Sequence, residues 1–282
     1  METTLTLVLG ATGKTGRRVA ERLKARGLPI RLGSRSGNPP FDWEDRNSWP
    51  AALRGVSAAY VTYYPDISIA GAADAVGTFA KMAVASGVRR LVLLSGRGEE
   101  GALLSERAVQ ESGAEWTILR STWFSQNFNE GFFLDQMLSG EVTLPVGNVQ
   151  EPFVDADDLA DIAVAALTDD QHCGQVYELT GPRLLTFPEA IRAIADAVGR
   201  DIRYVQLSPA QYESLLVEQQ VPAEIASLLR YLFTEVLDGR NAHLTDGVER
   251  ALGRRPRDFA EFVKEAARSG VWGVARRPHV LA

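Results

Sequence analysis

The strongest constraint on the fold is a glycine-rich loop near the start of the chain, between an apolar run and an amphipathic stretch. The apolar run covers 5–9, Gly10, Gly13 and Gly16 form the loop with the spacing G-x-x-G-x-x-G, and a second apolar run follows at 30–32. This order predicts strand, tight turn, helix and strand. The first glycine permits the turn, the second lets the backbone approach a pyrophosphate, and the third lets the helix pack closely on the sheet. Because a helix N-terminus offers free N–H groups to phosphate, the sequence predicts a dinucleotide-binding unit.

Apolar and amphipathic segments continue to alternate through the first half of the chain. Short apolar runs are followed by helical patterns that end at glycines, which predicts repeated strand–helix units. Parallel strands need such crossover connections, so the predicted fold class is α/β, a Rossmann-like doubly wound parallel sheet. The predicted strands after the first two cover 41–43, 58–62, 90–94, 116–119 and 176–179, and the predicted helices cover 14–26, 72–86, 103–112 and 157–168.

The second half of the chain is poorer in strands and richer in signals for helix starts. Thr186 with Glu189, and Ser208 with Gln211, have the spacing of capping boxes. The segment 222–239 has the pattern of one long amphipathic helix that begins at a proline. The predicted domains are a dinucleotide-binding domain at 1–180 and a smaller, mostly helical substrate lobe at 181–282, which also receives residues from about 123–145.

Composition and charge exclude several functional classes. Cys173 is the single cysteine, so it cannot form an intrachain disulfide, and the three histidines do not complete a Cys/His ligand pattern. The net charge of −6 and the scattered basic residues do not suggest nucleic-acid binding. The N-terminus lacks a signal-peptide pattern, and no apolar run is long enough for a membrane span. We therefore expect a cytoplasmic protein that binds no nucleic acid, membrane or metal ion.

The residues at the end of the second strand indicate the type of cofactor. NAD-binding proteins carry an acidic residue there for the ribose, whereas NADP-binding proteins carry an arginine for the 2′-phosphate. This chain has Ser34 and Arg35, with no acid before Asp42. Lys14, in the glycine loop, is expected to add a second cation near this phosphate. The pattern favours NADP(H), and NAD(H) remains the alternative if Arg35 stacks on the adenine or faces water.

Further cofactor contacts are expected after the next two strands. Asp42 and Trp43 are candidates for the wall of the adenine pocket, and Thr62, Tyr63 and Tyr64 are candidates for contacts with the adenosine half. The alternative for these aromatic residues is packing within their own loops.

Ser95 and Gly96 follow the strand predicted at 90–94, where short-chain dehydrogenases carry a catalytic serine. Those enzymes pair the serine with a Tyr-x-x-x-Lys motif, in which the lysine lowers the pKa of the tyrosine. None of the four lysines here, at positions 14, 24, 81 and 264, has a tyrosine four residues before it. Ser95 is therefore the candidate catalytic residue, contacting an acceptor oxygen or the nicotinamide amide, and its alternative role is to cap the loop.

An aromatic segment follows the strand predicted at 116–119. Phe124, Phe128 and Phe132 have the spacing of one helix face, which indicates core packing as one interpretation. Trp123 and Asn127 lie off that stripe. We expect Trp123, Phe124, Asn127 and Phe128 to form a flat acceptor pocket beside the nicotinamide.

Several motifs of the sequence resemble those of the NmrA-like family of atypical short-chain dehydrogenases. The resemblance spans nearly the whole chain and is most specific over 90–160. The segment 235–243 is similar to a bacterial branch that resembles the reductases of ergot-alkaloid and aromatic-polyketide pathways. The motifs are GATGKTG at 10–16, LSGRG at 94–98, WTILR at 116–120, QNF at 126–128 and FVDADDLA at 153–160. By resemblance, the cofactor contacts are Gly10, Thr12, Gly13, Lys14, Thr15, Gly16, Arg35, Thr62 and Ser95.

The resemblance implies a Rossmann domain, NAD(P)H and varied roles. Some members reduce quinones, iminium ions or activated double bonds, and others report the cofactor redox state to a regulator. We therefore expect an NAD(P)H-dependent reductase of a flat conjugated acceptor, in secondary metabolism such as antibiotic biosynthesis. The alternative is a non-catalytic redox sensor that acts through a protein partner. The expected substrate is small and aromatic or conjugated, and a homodimer is one of the open oligomeric states.

Overall fold

Parallel strands and crossover helices form the centre of the fold, as the sequence pattern predicts. The computed structural model describes residues 5–273. The strands are β1 (Leu5–Leu9), β2 (Ile30–Gly33), β3 (Val56–Val61), β4 (Arg90–Gly96), β5 (Glu115–Ser121), β6 (Glu141–Leu144), β7 (Gln150–Glu151), β8 (Gln175–Leu179), β9 (Leu185–Thr186) and β10 (Arg203–Gln206). The helices are α1 (Lys14–Ala25), α2 (Trp49–Leu53), α3 (Ala72–Ala85), α4 (Glu100–Gln110), α5 (Leu134–Ser139), α6 (Ala156–Thr168), α7 (Phe187–Val198), α8 (Pro209–Glu218), α9 (Ala223–Tyr231), α10 (Gly247–Leu252) and α11 (Phe259–Ser269).

The main sheet has six parallel strands in the order β2-β1-β3-β4-β5-β8. From β1, the sheet extends to β2 on one side and through β3, β4 and β5 to β8 on the other side. In sheets of this type, ligands bind in the crevice at the carboxyl ends of the strands where the order reverses. The predicted Rossmann-like α/β fold is confirmed, and this edge of the sheet is the place to look for a site.

Helices cover both faces of the sheet, which explains the nearly continuous apolar character of the inner strands. Side chains alternate along β1, so that Leu7 and Val8 enter different apolar clusters. One cluster joins the sheet to α3 and the other joins it to α1 and α6. Burial on both faces fixes the register of each strand, because a slip of one residue would exchange its two faces.

A third apolar cluster lies in the helical part of the chain. It combines Phe128 and Phe153 with Phe187, Phe233 and Trp272, so the segment after β5 packs together with the C-terminal helices. Two small sheets support it, a parallel pair of β6 with β10 and an antiparallel pair of β7 with β9. In contrast, α10 returns to pack on α6 and β8 of the main sheet. The packing therefore crosses the predicted domain boundary at residue 180, because α10 lies after this boundary and packs on elements that lie before it.

Both predicted capping boxes are confirmed. The Thr186 hydroxyl accepts from the Glu189 N–H at the start of α7, and the Glu189 carboxylate accepts from the Thr186 N–H in return. Ser208 and Gln211 make the same reciprocal pair at the start of α8. Each pair satisfies N–H groups that a helix start otherwise leaves free.

The strand predicted at 41–43 is wrong, because this segment is a loop. Phe41 packs with its ring centroid 6.1 Å from that of Trp49 and 5.6 Å from that of Phe79. The Trp49 indole N–H donates to the Asp42 carbonyl over 2.7 Å, and the Ser48 hydroxyl accepts from the Asp42 N–H. The apolar pattern of this segment reflects its packing in an aromatic cluster. Side chains form the hydrogen bonds with its backbone that a neighbouring strand would form in a sheet.

The single long helix predicted at 222–239 is also wrong. Helix α9 ends at Tyr231, and the π-helical turn Leu232–Val236 continues it. The Leu237 N–H donates to the Leu232 carbonyl over 3.1 Å, a bond between residues five apart. This wider turn allows Phe233, Val236 and Leu237 all to be buried.

Within residues 5–273, no helix combines the length and the apolar character that a membrane span requires.

Candidate cofactor and acceptor site

One cavity of about 770 Å³ lies along the carboxyl ends of the main strands. The loops that follow β1 to β5 form most of its walls, and Leu232 and Val236 of the π-helical turn form another part. The sheet therefore supplies its base and the helical lobe one of its sides. The predicted site residues on its walls are Gly10, Thr12, Gly13, Lys14, Thr15, Ser34, Arg35, Asp42, Trp43, Thr62, Tyr63, Tyr64, Ser95, Gly96, Trp123, Phe124 and Asn127.

The glycine loop has the geometry of a phosphate cradle. Gly10 has a φ of +60°, and a Cβ there would lie 2.6 Å from Thr62 Cγ2. A Cβ on Gly16 would lie 2.3 Å from the Gly10 carbonyl oxygen, so Gly16 is buried where α1 packs on the loop and does not line the cavity. Gly13 precedes α1, and among the described residues no side chain caps this helix start. The Gly13 N–H donates to the Gly10 carbonyl over 2.8 Å, and the N–H groups that follow it in the first turn of α1 fit a dinucleotide pyrophosphate.

The wall after β2 and β3 carries the predicted adenosine contacts. Arg35 is exposed and makes no ion pair with another described residue. The Trp43 indole N–H donates to the Thr62 carbonyl over 3.0 Å, and the Trp43 ring packs 5.0 Å from that of Tyr63. Tyr64 is 72% exposed, so it stands away from this packed set. Trp43 therefore lines the cavity and also packs against a neighbouring aromatic ring, and its contact with adenosine stays a prediction.

The Lys14 amino group lies on the cavity wall and is held by the loop after β5. It donates to Asn127 Oδ1 and lies 5.9 Å from the centre of the Phe124 ring. Burial lowers the pKa of Lys14 to about 8, although the charge of Glu130 acts in the opposite direction. Its contact with the 2′-phosphate stays a prediction.

Two further bonds connect the first turn of α1 to the loop after β5. Arg17 bonds to Glu130 over 2.6 Å, and Arg18 bonds to the other oxygen of the same carboxylate. With the Lys14–Asn127 bond, they form a bridge between the start of α1 and the loop after β5, which we call the 14–130 bridge.

The expected catalytic role of Ser95 does not agree with its geometry. Its hydroxyl donates to Glu106 Oε1 over 2.7 Å, and its side chain is buried. Glu106 also pairs with Arg120 over 2.7 Å, and Arg120 reaches Glu178 over 3.1 Å. Ser95 is thus the first member of a polar network that joins β4 to α4, β5 and β8, a structural role that differs from the predicted capping of its own loop. A Cβ on Gly96 beside it would lie 2.0 Å from Glu99 Oε1, so a side chain at this position would displace the Glu99 carboxyl.

Three of the four predicted acceptor residues line the cavity, and Phe128 does not. Trp123, Phe124 and Asn127 are half-buried on its wall. Phe128 is fully buried, with its ring 5.2 Å from that of Phe133, so its contact with an acceptor is ruled out in this packing.

The helical stripe predicted for Phe124, Phe128 and Phe132 is also wrong. The segment Ser125–Phe128 is a 3-10 turn, so these positions do not share a face. Phe128 is buried in the core, whereas Phe132 is 43% exposed.

Besides Asp42, the cavity wall carries five acidic residues that no motif indicates: Glu44, Asp66, Glu99, Glu130 and Glu151. Two of them, Glu99 and Glu151, have strongly raised pKa values. Burial, together with the charge of Asp66, raises the pKa of Glu99 to about 8. Burial raises the pKa of Glu151 to about 8, although Arg97 and the Trp123 N–H act in the opposite direction. In the part of the chain that the structure describes, the Oε2 atoms of both residues are buried without a hydrogen-bond partner. No motif marks either residue, and their burial depends on segments distant in sequence.

A separate group of potential metal ligands lies at the opposite end of the sheet. The acidic groups of Glu115 and Asp170 converge there with the Cys173 thiol. The Arg90 guanidinium pairs with both carboxylates. These acids already have a cationic partner, so the cluster is explained as an ion-pair network.

Comparisons with known proteins agree with this fold. A model of the NmrA-like family matches residues 104–263. The chain is 31% identical to agroclavine dehydrogenase of Claviceps fusiformis, covering 94% of this chain and 98% of that protein. It is 31% identical to NAD(P)H azoreductase of Xenophilus azovorans, covering 95% of this chain and 99% of that protein.

Among solved structures, the fold matches the NADPH-dependent quinone oxidoreductase of Escherichia coli complexed with NADPH. The TM-score is 0.74 at 20% identity, and the match covers 93% of this chain and 99% of that one. At this identity the match speaks for the fold. The family model and the two relatives, which carry oxidoreductase names, go further and confirm the resemblance seen in the motifs. The chain belongs to the NmrA-like family.

Proposed function

We propose that the protein is an NAD(P)H-dependent reductase that transfers hydride to a flat conjugated acceptor such as a quinone, an iminium ion or an enone. The observation that supports this most is the continuity of the cavity. An uncapped helix start lies at one part of it, and the half-buried rings of Trp123 and Phe124 lie at another. The names of the relatives, agroclavine dehydrogenase and NAD(P)H azoreductase, support a reductase of a small organic substrate.

The residues of this chain would bind and orient the two reactants. A bound NAD(P)H supplies the hydride. The N–H groups around Gly13 would hold the pyrophosphate, and Arg35 would contact the 2′-phosphate of NADPH as a charge-assisted pair. Trp123 and Phe124 would hold a flat acceptor in a fixed orientation, and such positioning accounts for a large part of rate enhancement in reactions of two bound molecules.

An assay with a panel of acceptors tests this function. With NADPH in excess, we expect turnover with a naphthoquinone, with the cyclic iminium ion N-methylacridinium and with an aromatic enone. An isolated aliphatic ketone should react poorly, because it has no flat surface to stack on the aromatic wall and yields a strongly basic alkoxide. The loss of NADPH absorbance, corrected for the uncatalysed reaction, measures each rate.

Two outcomes would contradict the proposal. Equal efficiency with aliphatic ketones would show that stacking on the aromatic wall does not select the acceptor. Tight NADPH binding with no turnover of any acceptor would favour the alternative, a redox sensor that binds a protein partner.

Replacing Trp123 by alanine should weaken acceptor binding and leave cofactor binding unchanged. An aromatic stacking contact contributes about 0.5–1.5 kcal/mol, so KM for the naphthoquinone should rise roughly two- to tenfold. Trp123→Phe is the matched control, because the Trp123 ring packs 5.1 Å from that of Phe233 and a phenyl ring keeps part of this contact. Steady-state kinetics and NADPH calorimetry on both variants measure the effect. An unchanged KM in the alanine variant would remove Trp123 from the acceptor site.

A further inference from the structure

The buried carboxyl of Glu151 is held at the acceptor end of the cavity by backbone pairing. The segment that contains it runs beside the chain after β5, where Phe124 and Val154 form a β-bridge. The Val154 N–H donates to the Trp123 carbonyl over 3.0 Å. This pairing places Glu151 against Thr122, the residue directly before Trp123, and both residues line the cavity.

The environment of Glu151 favours an uncharged carboxyl. Its side chain is only 1% exposed. The Thr122 hydroxyl bonds to Oε1, and Oε2 has no hydrogen-bond partner among the described residues. An ionised carboxylate buried with one oxygen unpaired is costly, whereas a neutral acid is tolerated. Burial accordingly raises the pKa of Glu151 to about 8.

Among the described residues packed around Glu151, Arg97 is the one whose charge acts on its carboxyl group. Arg97 faces it from the end of β4 and is itself paired with Glu178 over 3.5 Å. Thr122 and Trp123 are uncharged, and Leu185 opposes Glu151 across the small antiparallel sheet. Arg97 lowers the pKa, but the effect of burial is larger. The guanidinium is therefore in place to stabilise the carboxylate that remains after a proton has left.

Acceptors of the proposed reaction differ in their need for a proton. A quinone that receives hydride becomes a phenolate-like anion and then takes one proton. N-methylacridinium receives hydride and becomes a neutral amine that takes none. A proton source beside the acceptor therefore favours reduction of a quinone. Ser95 is not suited to this role, because its hydroxyl donates to Glu106, a carboxylate that is already paired with Arg120.

We propose that Thr122 and Glu151 form a proton-delivery pair at the acceptor site. This inference rests on the proposed reductase function. The Thr122 hydroxyl gives its proton to the anionic oxygen of the reduced acceptor, the O–H bond of the Glu151 acid breaks, and that proton restores the hydroxyl. The hydroxyl is able to do both because it donates and accepts hydrogen bonds. Glu151 is left as a carboxylate beside Arg97 and takes a proton from water before the next turnover.

The test compares a quinone with N-methylacridinium in the same variants. Glu151→Gln keeps the size and the hydrogen bond of the neutral acid but cannot release a proton. Since general acid catalysis contributes about 10²–10⁴-fold, kcat for the naphthoquinone should fall by roughly a hundredfold or more. The rate with N-methylacridinium and the Kd of NADPH should stay within about twofold. Thr122→Val should show the same selective loss, and Thr122→Ser should restore quinone turnover.

The pH profile gives an independent readout. The active form carries the proton, so kcat for the naphthoquinone should fall as the pH rises through about 8, the range to which burial raises the pKa of Glu151. The acridinium rate should not show this fall, and Glu151→Gln should abolish it. Glu99→Gln is the matched comparison, because it removes another cavity acid whose pKa is raised to about 8. This variant should keep both the pH-dependent fall and the ratio of the two rates.

The outcomes separate this inference from the function on which it rests. If Glu151→Gln slows both acceptors equally, or slows neither, the proton-delivery pair is wrong while the reductase function stands. A pH-dependent fall that disappears in Glu99→Gln instead would assign the proton to the other acid. If the unmodified protein binds NADPH and reduces neither acceptor, the proposed function itself fails.

Discussion

NADPH binding should be lost when Gly13 is replaced by valine, and the fold should be retained. Gly13 has a φ of −84° and an extended conformation, which a β-branched residue adopts readily. The nearest protein atom that a Cβ there would meet is the Gly10 carbonyl oxygen, at 3.2 Å, so the backbone must give way by only a few tenths of an ångström. The rest of the side chain would occupy the space before the uncapped N–H groups. Each bond of this kind to a charged group contributes about 1.5–3 kcal/mol, so the loss of two should raise the Kd of NADPH at least roughly a hundredfold. Isothermal titration calorimetry measures this change.

Gly16→Val is the matched control, because the two glycines lie in the same loop and differ in what a side chain would meet. At Gly16 the Cβ would lie 2.3 Å from the Gly10 carbonyl oxygen, which is backbone and cannot move aside cheaply. This variant should lose about 1–3 kcal/mol or more of folding stability. We therefore expect a normal thermal unfolding temperature without NADPH binding in Gly13→Val, and a lowered unfolding temperature in Gly16→Val. Unchanged NADPH affinity in Gly13→Val would show that the cofactor does not occupy this loop.

Arg35→Ala should distinguish the two nicotinamide cofactors. Arg35 is exposed on the cavity wall after β2 and makes no ion pair with another residue of the described range 5–273. We propose that its guanidinium binds the 2′-phosphate, which NADH lacks. The loss of a charge-assisted bond costs about 1.5–3 kcal/mol. NADPH should therefore bind roughly ten- to a hundredfold more weakly in the variant, and NADH should change by less than about threefold.

Arg26→Ala provides the control for this experiment, because it removes an exposed arginine at the far end of α1. Its Kd for both cofactors should match that of the unmodified protein, which separates the contact from a change in net charge. If Arg35→Ala weakens NADPH and NADH equally, the arginine contacts a part that the cofactors share. Tighter binding of NADH than of NADPH by the unmodified protein would reverse the proposed preference.

The parts of this molecule that the sequence predicts well are set by neighbours in the chain. The turn at Gly10, the start of α1 and the two capping boxes each depend on residues within a few positions of one another. The parallel sheet is also predictable, because strands that alternate with helices have few other ways to be buried. The resemblance to a family added no geometry, but it correctly predicted the family to which the chain belongs.

The contacts that the sequence does not predict concern residues whose surroundings come from distant segments. Ser95 has the position of a catalytic serine, but its hydroxyl donates a hydrogen bond to Glu106 of the following helix. Lys14 has the position of a phosphate ligand, and its amino group donates to Asn127, 113 residues away. Glu151 carries no motif, and its importance follows from burial beside Thr122. A single sequence does not show which of its distant residues become neighbours in the fold.

The 14–130 bridge has a consequence for anyone who wishes to redesign the substrate range of this protein. A new acceptor loop grafted after β5 must keep an amide oxygen at position 127 and a carboxylate at position 130. Without them, the half-buried amino group of Lys14 would lose its amide partner and Arg18 would keep only Asp157, and a weakly paired charge of this kind is costly. Such a graft would disturb the start of α1 and weaken cofactor binding, even though it changes no residue of the glycine loop. Substrate range is therefore best varied from the side of the π-helical turn, at Leu232 and Val236, which face the same cavity without contributing to the bridge.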